Sequence, residues 1–285
     1  NYWLNNLAMA IGSLIGGFLF MEHHFLLFVM VSCMSILSVV ITALFLKDVR
    51  KPNRANEPVQ EDKKKGSPLI NIAKSYQVVF KDRVFLLFLI GSVFVFSLET
   101  HLTNYIGIRL ANNVSDATLF MNWTINGTEL LGLLRSENTI LVVVGTIFIA
   151  YVTKRLKNQT KFLGGAILYA VSFVFISYLT TPWLLIIVML LATIGELIFV
   201  PIRQAMLGNL APEDSRSTYM AVNQSFMATT EIIAGIFIMI STFISAPIMT
   251  SLFALMGGIG ILCFAKLTKK QGVLSLSPKE SKTVG

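Results

Sequence analysis

The sequence predicts an all-α integral membrane protein with eight transmembrane helices, and three observations carry that prediction. Of the 285 residues 54% are hydrophobic and only 13% are charged, with a positive mean hydropathy, a balance outside the range of water-soluble domains. Apolar runs of roughly 18 to 22 residues recur along the chain, each long enough to cross about 30 Å of hydrocarbon as a helix. The basic residues behind the formal charge of +8 lie between those runs, so they report orientation in a bilayer and give no reason to expect nucleic acid.

The first span, about Trp3 to Phe20, carries Gly12, Gly16 and Gly17 along a strip without side chains, a pattern that lets helix backbones approach closely. In the short turn that follows, Glu22, His23 and His24 read as a wetted interface in preference to a metal site. Phe25 to Leu46 is the second span, nearly free of polar groups. The composition then changes at Lys47: residues 47–83 hold ten Lys or Arg, with Pro52, Pro58 and the run Lys63-Lys64-Lys65, and read as a solvated linker between two halves. Within it, Ile70 to Phe80 suits a short amphipathic helix at the membrane surface.

The third span, Val84 to about Ile106, turns polar in its second half. Ser92, Glu99 and Thr103, seven and four residues apart, share a helix face that is expected to look inward. Residues 107–137 read as a polar loop, and the glycosylation-type triplets at Asn113, Asn122 and Asn126 carry no weight without a eukaryotic secretory source. Further spans are expected at Thr139 to Thr153, Phe162 to Leu179, Trp183 to Ile202, Ser217 to Ser245 and Pro247 to Ala265, before a polar, disordered tail. The domain reading is therefore 1–46, two helices ending an N-terminal bundle; 47–83, a linker; 84–266, a six-helix bundle; and 267–285, a tail. The chain begins without Met and enters its first span at once, so it is expected to be a fragment.

Charge tests the alternation. With the linker on the cytoplasmic side, the turns at 154–161 and 203–216 and the tail share that side, which then holds all Lys and Arg except Arg109 and Arg135. The linker and C terminus are thus expected to be cytoplasmic. An internal match supports two related halves: at an offset of 218, Asn5 pairs with Asn223, Met9 with Met227, Ile15 with Ile233 and Gly17 with Gly235. Ser13 in the first copy stands opposite Glu231 in the second. Cys33 and Cys263 fall inside apolar spans as small hydrophobes, with no metal or disulfide spacing.

Two stretches resemble a known family. The first span resembles the fifth-helix antiporter motif of the major facilitator superfamily: Gly12, Gly16 and Gly17 match, while Ser13 stands at the usual proline and Ala8 at an earlier glycine. The stretch IGELIFVPIRQAMLGNLAPEDSRSTYMAV resembles the tenth helix and following loop of drug:proton antiporters, the multidrug efflux branch, with Gly195-Glu196, Pro201, Ala211-Pro212, Arg216 and Met220 carrying the match. The resemblance covers the whole chain as the family's helices five to twelve, with helices one to four outside it. It implies a partial major facilitator fold in a bacterial plasma membrane, monomeric when full length. The activity implied is proton-coupled export of lipophilic, cationic compounds by alternating access.

Glu196 is the first candidate. The resemblance places the matching carboxylate in the central cavity, where it takes part in cation binding and proton exchange. A charge left in hydrocarbon costs about 2.5–3.5 kcal/mol, so its presence in an apolar span asks for a reason. The plainer reading is a permanently neutral Glu bonded to a neighbouring helix. Glu231, with Gln224 and Ala228 on its face, and Glu99 read either as proton or substrate contacts or as residues that snorkel or pair across helices; Asn223 joins that polar set. Arg203, seven residues after Glu196, reads as a gating partner or, at the cytoplasmic end of its span, an interfacial anchor. Gly195 and Pro201 weaken the helix between them, and Arg216 closes the matched loop. The substrate is expected to be a small molecule moved against protons in a lipid bilayer, with no cofactor, no metal and no catalytic residues.

Two other readings differ in class. A proton-coupled peptide or metabolite transporter of the same superfamily also fits a Gly-Glu and downstream Pro in the tenth helix. A membrane enzyme needs a nucleophile with its base or ligands at usable spacing, and the three histidines, His23, His24 and His101, do not form such a set.

Overall fold

A computed structural model describes residues 7, 8, 12, 24–45, 76–114, 117–120 and 123–269. Most of the first span, with Gly16 and Gly17, the turn with Glu22 and His23, most of the linker and the tail lie outside the described residues. Contacts divide the chain into two compact units, Trp3–Leu69 and Ile70–Gly285.

The first unit contains α1, His24–Phe45. No Gly or Pro interrupts this apolar run, and the hydroxyls of Ser32 and Ser35 donate to the carbonyls of Phe28 and Val31, each at 2.8 Å. Such local bonds satisfy a hydroxyl where water is absent.

In the second unit a short helical segment at 76–81 leads into α2, Arg83–His101. Asp82 caps α2: its Oδ1 accepts from the amides of Val84 and Phe85 at 3.0 Å each, meeting two of the donors that a helix start leaves open. A π segment, Leu102–Ile106, then joins α2 to α3, Gly107–Asn113. A hairpin of β1, Ala117–Phe120, and β2, Trp123–Ile125, turns the chain back. The rest is helical: α4, Gly127–Thr153; α5, Asn158–Tyr178; α6, Pro182–Leu210; a 3-10 turn, Glu213–Ser215; α7, Arg216–Ser241; and α8, Ala246–Lys269. Seven helices among the described residues are long and apolar enough to cross a membrane. The protein is an all-α membrane protein of the partial multi-helix kind that the composition predicts.

Several sequence boundaries are corrected. Residues 107–137 are not a loop: the third span runs on through the π segment to Asn113, and α4 starts at Gly127. The reason for that start is a capping box. Asn126 accepts from the amides of Thr128 and Glu129, and Glu129 Oε2 accepts from the Asn126 amide, all at 3.0 Å. Gly127 is required there, because an added Cβ would collide with the Leu110 carbonyl group. Thr103 does not share the inward face of Ser92: it is exposed while Ser92 is fully buried, since the π turn rotates the residues after His101 out of α-helical register. The sixth span does not end at Ile202 but continues as α6 to Leu210, which puts Arg203 inside a helix and not in a turn.

Glycines set the two closest seams. Packing in a bilayer gains little from the hydrophobic effect and relies on close approach. Where α5 crosses α6, a Cβ at Gly195 would lie 2.6 Å from the Tyr169 amide nitrogen, and one at Gly165 would lie 2.9 Å from that of Phe199. Where α2 crosses α8, a Cβ at Gly91 would meet Phe264 at 2.7 Å and one at Gly260 would meet Val95 at 2.7 Å. The remaining contacts place α4 on α6, α8 on α5 and α7 on α2, linking six helices around a Phe-rich core.

Candidate functional site

The polar interior of this bundle is built mainly on α6. Thr193, Glu196, Val200 and Arg203, at spacings of three, four and three, lie along one face and are all buried. Pro201, exposed on the opposite side, does not break the helix. Gly195 serves the α5 crossing described above, so its role is close packing.

Glu196 is only 6% exposed. Asn138 of α4 donates from Nδ2 to Glu196 Oε2 at 2.7 Å and to Thr193 Oγ1 at 3.1 Å, and Thr193 in turn donates to the Met189 carbonyl at 3.0 Å. An amide nitrogen has two hydrogens, enough for both acceptors. An amide N–H donates to a carboxylate oxygen with charge assistance and more weakly to the carbonyl oxygen of a protonated acid. Asn138 falls between the 107–137 stretch read as a loop and the span read from Thr139, and the sequence reading assigns it no role. The Asn126 and Glu129 spacing is the signal that could have found it.

A second carboxylate, Glu99 on α2, is half-buried. The fully buried Tyr169 of α5 donates its hydroxyl to Glu99 Oε2 at 2.5 Å. Two residues on, His101 is buried with neither ring nitrogen bonded, its ring 4.9 Å from Phe237 and 4.5 Å from Phe253. On α4, Glu137 has one carboxylate oxygen buried without a partner.

Arg203 is not an interfacial anchor. It is 6% exposed, and it donates from Nε to Ser92 Oγ at 2.9 Å and from one terminal nitrogen to Asn223 Oδ1 at 3.0 Å and Met227 Sδ at 3.3 Å. Its guanidinium carbon lies 5.2 Å from the ring centre of Phe88 and 4.9 Å from that of Phe96. These partners are neutral acceptors and ring faces, which stabilise a desolvated guanidinium. They come from α2 and α7, so Arg203 pins three helices together.

The other candidates are arranged differently. Asn223 is buried against Arg203, whereas Gln224, Ala228 and Glu231 lie on an exposed face of α7. Arg216 is exposed and donates to the Gly208 carbonyl at 3.1 Å, closing the last turn of α6. In the first unit, a Cβ at Gly12 would meet nothing within 4 Å. A cavity of about 570 Å³ there is lined, among the described residues, by Gly12, Met30, Met34 and Ser38 with other apolar or hydroxyl side chains.

Six helices around a buried carboxylate, amide and guanidinium describe a membrane bundle with a polar interior, and comparison identifies its kind. The family model described as the Major Facilitator Superfamily matches residues 1–128 and 120–283. The chain belongs to the major facilitator superfamily. That superfamily is one of multi-pass membrane transporters, and the seven long apolar helices among the described residues fit a multi-pass membrane chain. It is 26% identical over 230 residues to a Na(+), Li(+), K(+)/H(+) antiporter from Planococcus maritimus, covering 77% of this chain and 53% of that protein. Two solved POT family transporters are similar in fold. One, in complex with 5-aminolevulinic acid, has a TM-score of 0.54 at 16% identity and covers 87% of this chain and 54% of its own. The other, with a thioalcohol conjugated peptide, has a TM-score of 0.52 at 17% identity with the same coverage. At such identities the likeness shows the fold alone. The chain spans about half the length of the relatives it matches.

Proposed function

We propose that this major facilitator chain works as part of a proton-coupled antiporter that exports lipophilic, cationic compounds by alternating access. The observation that carries the reading is Glu196: a buried carboxylate inside the span, reached by the Asn138 amide that also donates to the Thr193 hydroxyl. Such a group has two stable occupants, a proton or a substrate cation. Because one excludes the other, loading the substrate releases the proton, which is the chemistry of exchange. The aromatic residues of the core suit a lipophilic cation that needs both a counter-charge and apolar walls.

On this reading residues 1–46 end an N-terminal bundle, 47–83 are a cytoplasmic linker, 84–266 form the C-terminal bundle and 267–285 are a cytoplasmic tail. The protein would lie in a bacterial plasma membrane and act as a monomer at full length. Glu99, Glu231, Gln224 and Asn223 are secondary proton or substrate contacts, and Gly12, Gly16, Gly17, Gly195, Pro201, Arg203 and Arg216 serve packing or gating.

A second reading rests on the relative from Planococcus maritimus: export of an alkali cation, for which the oxygens of Glu196, Asn138 and Thr193 are hard ligands. Proteoliposomes holding the full-length protein under an imposed proton gradient separate these readings. Proton-driven uptake of a cationic dye, lost in Glu196→Gln, supports the first; sodium flux without dye flux supports the second. Flux of labelled peptide alone supports a peptide transporter, and dye export unchanged in Glu196→Gln removes the proposed role of this residue.

A further inference from the structure

Tyr169 touches both carboxylate-bearing helices, and the exchange chemistry above leaves it without a task. Its hydroxyl, fully buried, donates to Glu99 Oε2 at 2.5 Å. A buried phenol needs an acceptor, and among the acceptors in this core it meets a carboxylate. Its backbone is locked at the other end: a Cβ at Gly195 would stand 2.6 Å from its amide nitrogen and 2.9 Å from its Cα, so Tyr169 cannot slide along α6 beside Glu196. The ring is held by Phe173 at 4.9 Å, by Phe96 of α2 at 6.0 Å and by Phe199 of α6 at 6.3 Å. Phe96 lies one turn before Glu99, and Phe199 one turn after Glu196.

We propose that Tyr169 is a positioning residue that fixes the Glu99 carboxyl group in register with the α5–α6 seam that carries Glu196, so that Glu99 takes up and releases its proton during exchange. This rests on the exchanger reading of Glu196. Tyr169 keeps its own proton throughout; the proton that moves is the one on Glu99, exchanged with water or with substrate-displaced protons. The hydroxyl serves to hold the Glu99 carboxyl group in one orientation, and a carboxyl free to rotate would lose that register.

The test uses the full-length protein and Tyr169→Phe, which removes one oxygen and keeps the ring packing. Two readouts are required. The first is infrared spectroscopy of the purified protein on acidification, with the Glu99 carboxyl band assigned by its loss in Glu99→Gln. In Tyr169→Phe this band is expected at higher wavenumber, as a carbonyl that has lost its donor. The second is proton-driven dye export, in which Tyr169→Phe is expected to lower kcat by about 10- to 100-fold, the range for one hydrogen bond to an ionisable group, with KM unchanged. The double variant Tyr169→Phe with Glu99→Gln is expected to be no slower than Glu99→Gln alone.

An unmoved Glu99 band in Tyr169→Phe overturns the proposal, as does a double variant whose losses multiply. Dye export intact in Glu196→Gln defeats the exchanger reading instead, and in that case the infrared band alone decides whether Tyr169 holds Glu99.

Discussion

Glu196 and Glu231 look alike in the sequence: each is a carboxylate in an apolar span, with small and polar neighbours at helical spacing. The fold treats them differently. Glu196 is on the buried face of α6, bonded to Asn138 from the neighbouring α4 and flanked by Thr193. Glu231 is on the exposed face of α7, whose buried face is instead given to Tyr219, Val222, Asn223, Thr230 and Ala234. A carboxylate in a span therefore signals function only together with the helix face it occupies and the donors that reach it. Burial creates the energetic reason for a partner, and the partner fixes the geometry that exchange needs.

The largest expected effect of breaking that contrast is in Glu196→Gln. It should lower proton-driven export by about 100-fold, the scale for a residue that handles the transferred proton, in a flux assay on reconstituted full-length protein. Next is Gly195→Ala. Its added carbon would meet the Tyr169 backbone at 2.6 Å and force α5 and α6 apart. We expect a destabilisation of about 1–3 kcal/mol, seen as a lower melting temperature, together with reduced export as Glu196 is displaced. Asn138→Leu keeps the packing volume but removes the donor to Glu196. It should reduce export by about tenfold with little change in expression, since one hydrogen bond to an ionisable group is lost. The smallest effect belongs to Glu231→Gln, a loss of about two- to threefold, because its side chain is exposed on α7 and serves only as a secondary contact. A Glu231→Gln effect as large as that of Glu196→Gln would mean that α7, and not α6, carries the coupling group.

Much of the fold is legible in the sequence because span length is a direct consequence of bilayer thickness. The long apolar runs of α1, α5 and α8 are read within a few residues of their ends. The runs that carry polar groups are not. Arg135, Glu137 and Asn138 interrupt the hydropathy of α4 and make its first three turns look like loop, although the Asn126 capping box marks its start. Arg203 has the same effect on the end of α6, since a guanidinium reads as an interface until Ser92, Asn223 and two Phe rings are brought around it. The π segment escapes a reading based on a period of 3.6 and carries Thr103 away from Ser92. At the site, Glu196 is legible as a charge in the wrong solvent. Its partner Asn138 and the Tyr169 contact to Glu99 are not, because each joins residues more than fifty positions apart through helix crossings that no local pattern specifies.

The most direct measurement is proton release on substrate binding, made with full-length protein in weakly buffered detergent solution by adding a lipophilic cation such as tetraphenylphosphonium. The exchange account predicts that binding ejects protons from the parent protein and from Glu231→Gln, and none from Glu196→Gln. Equal proton release by Glu196→Gln and the parent would contradict it.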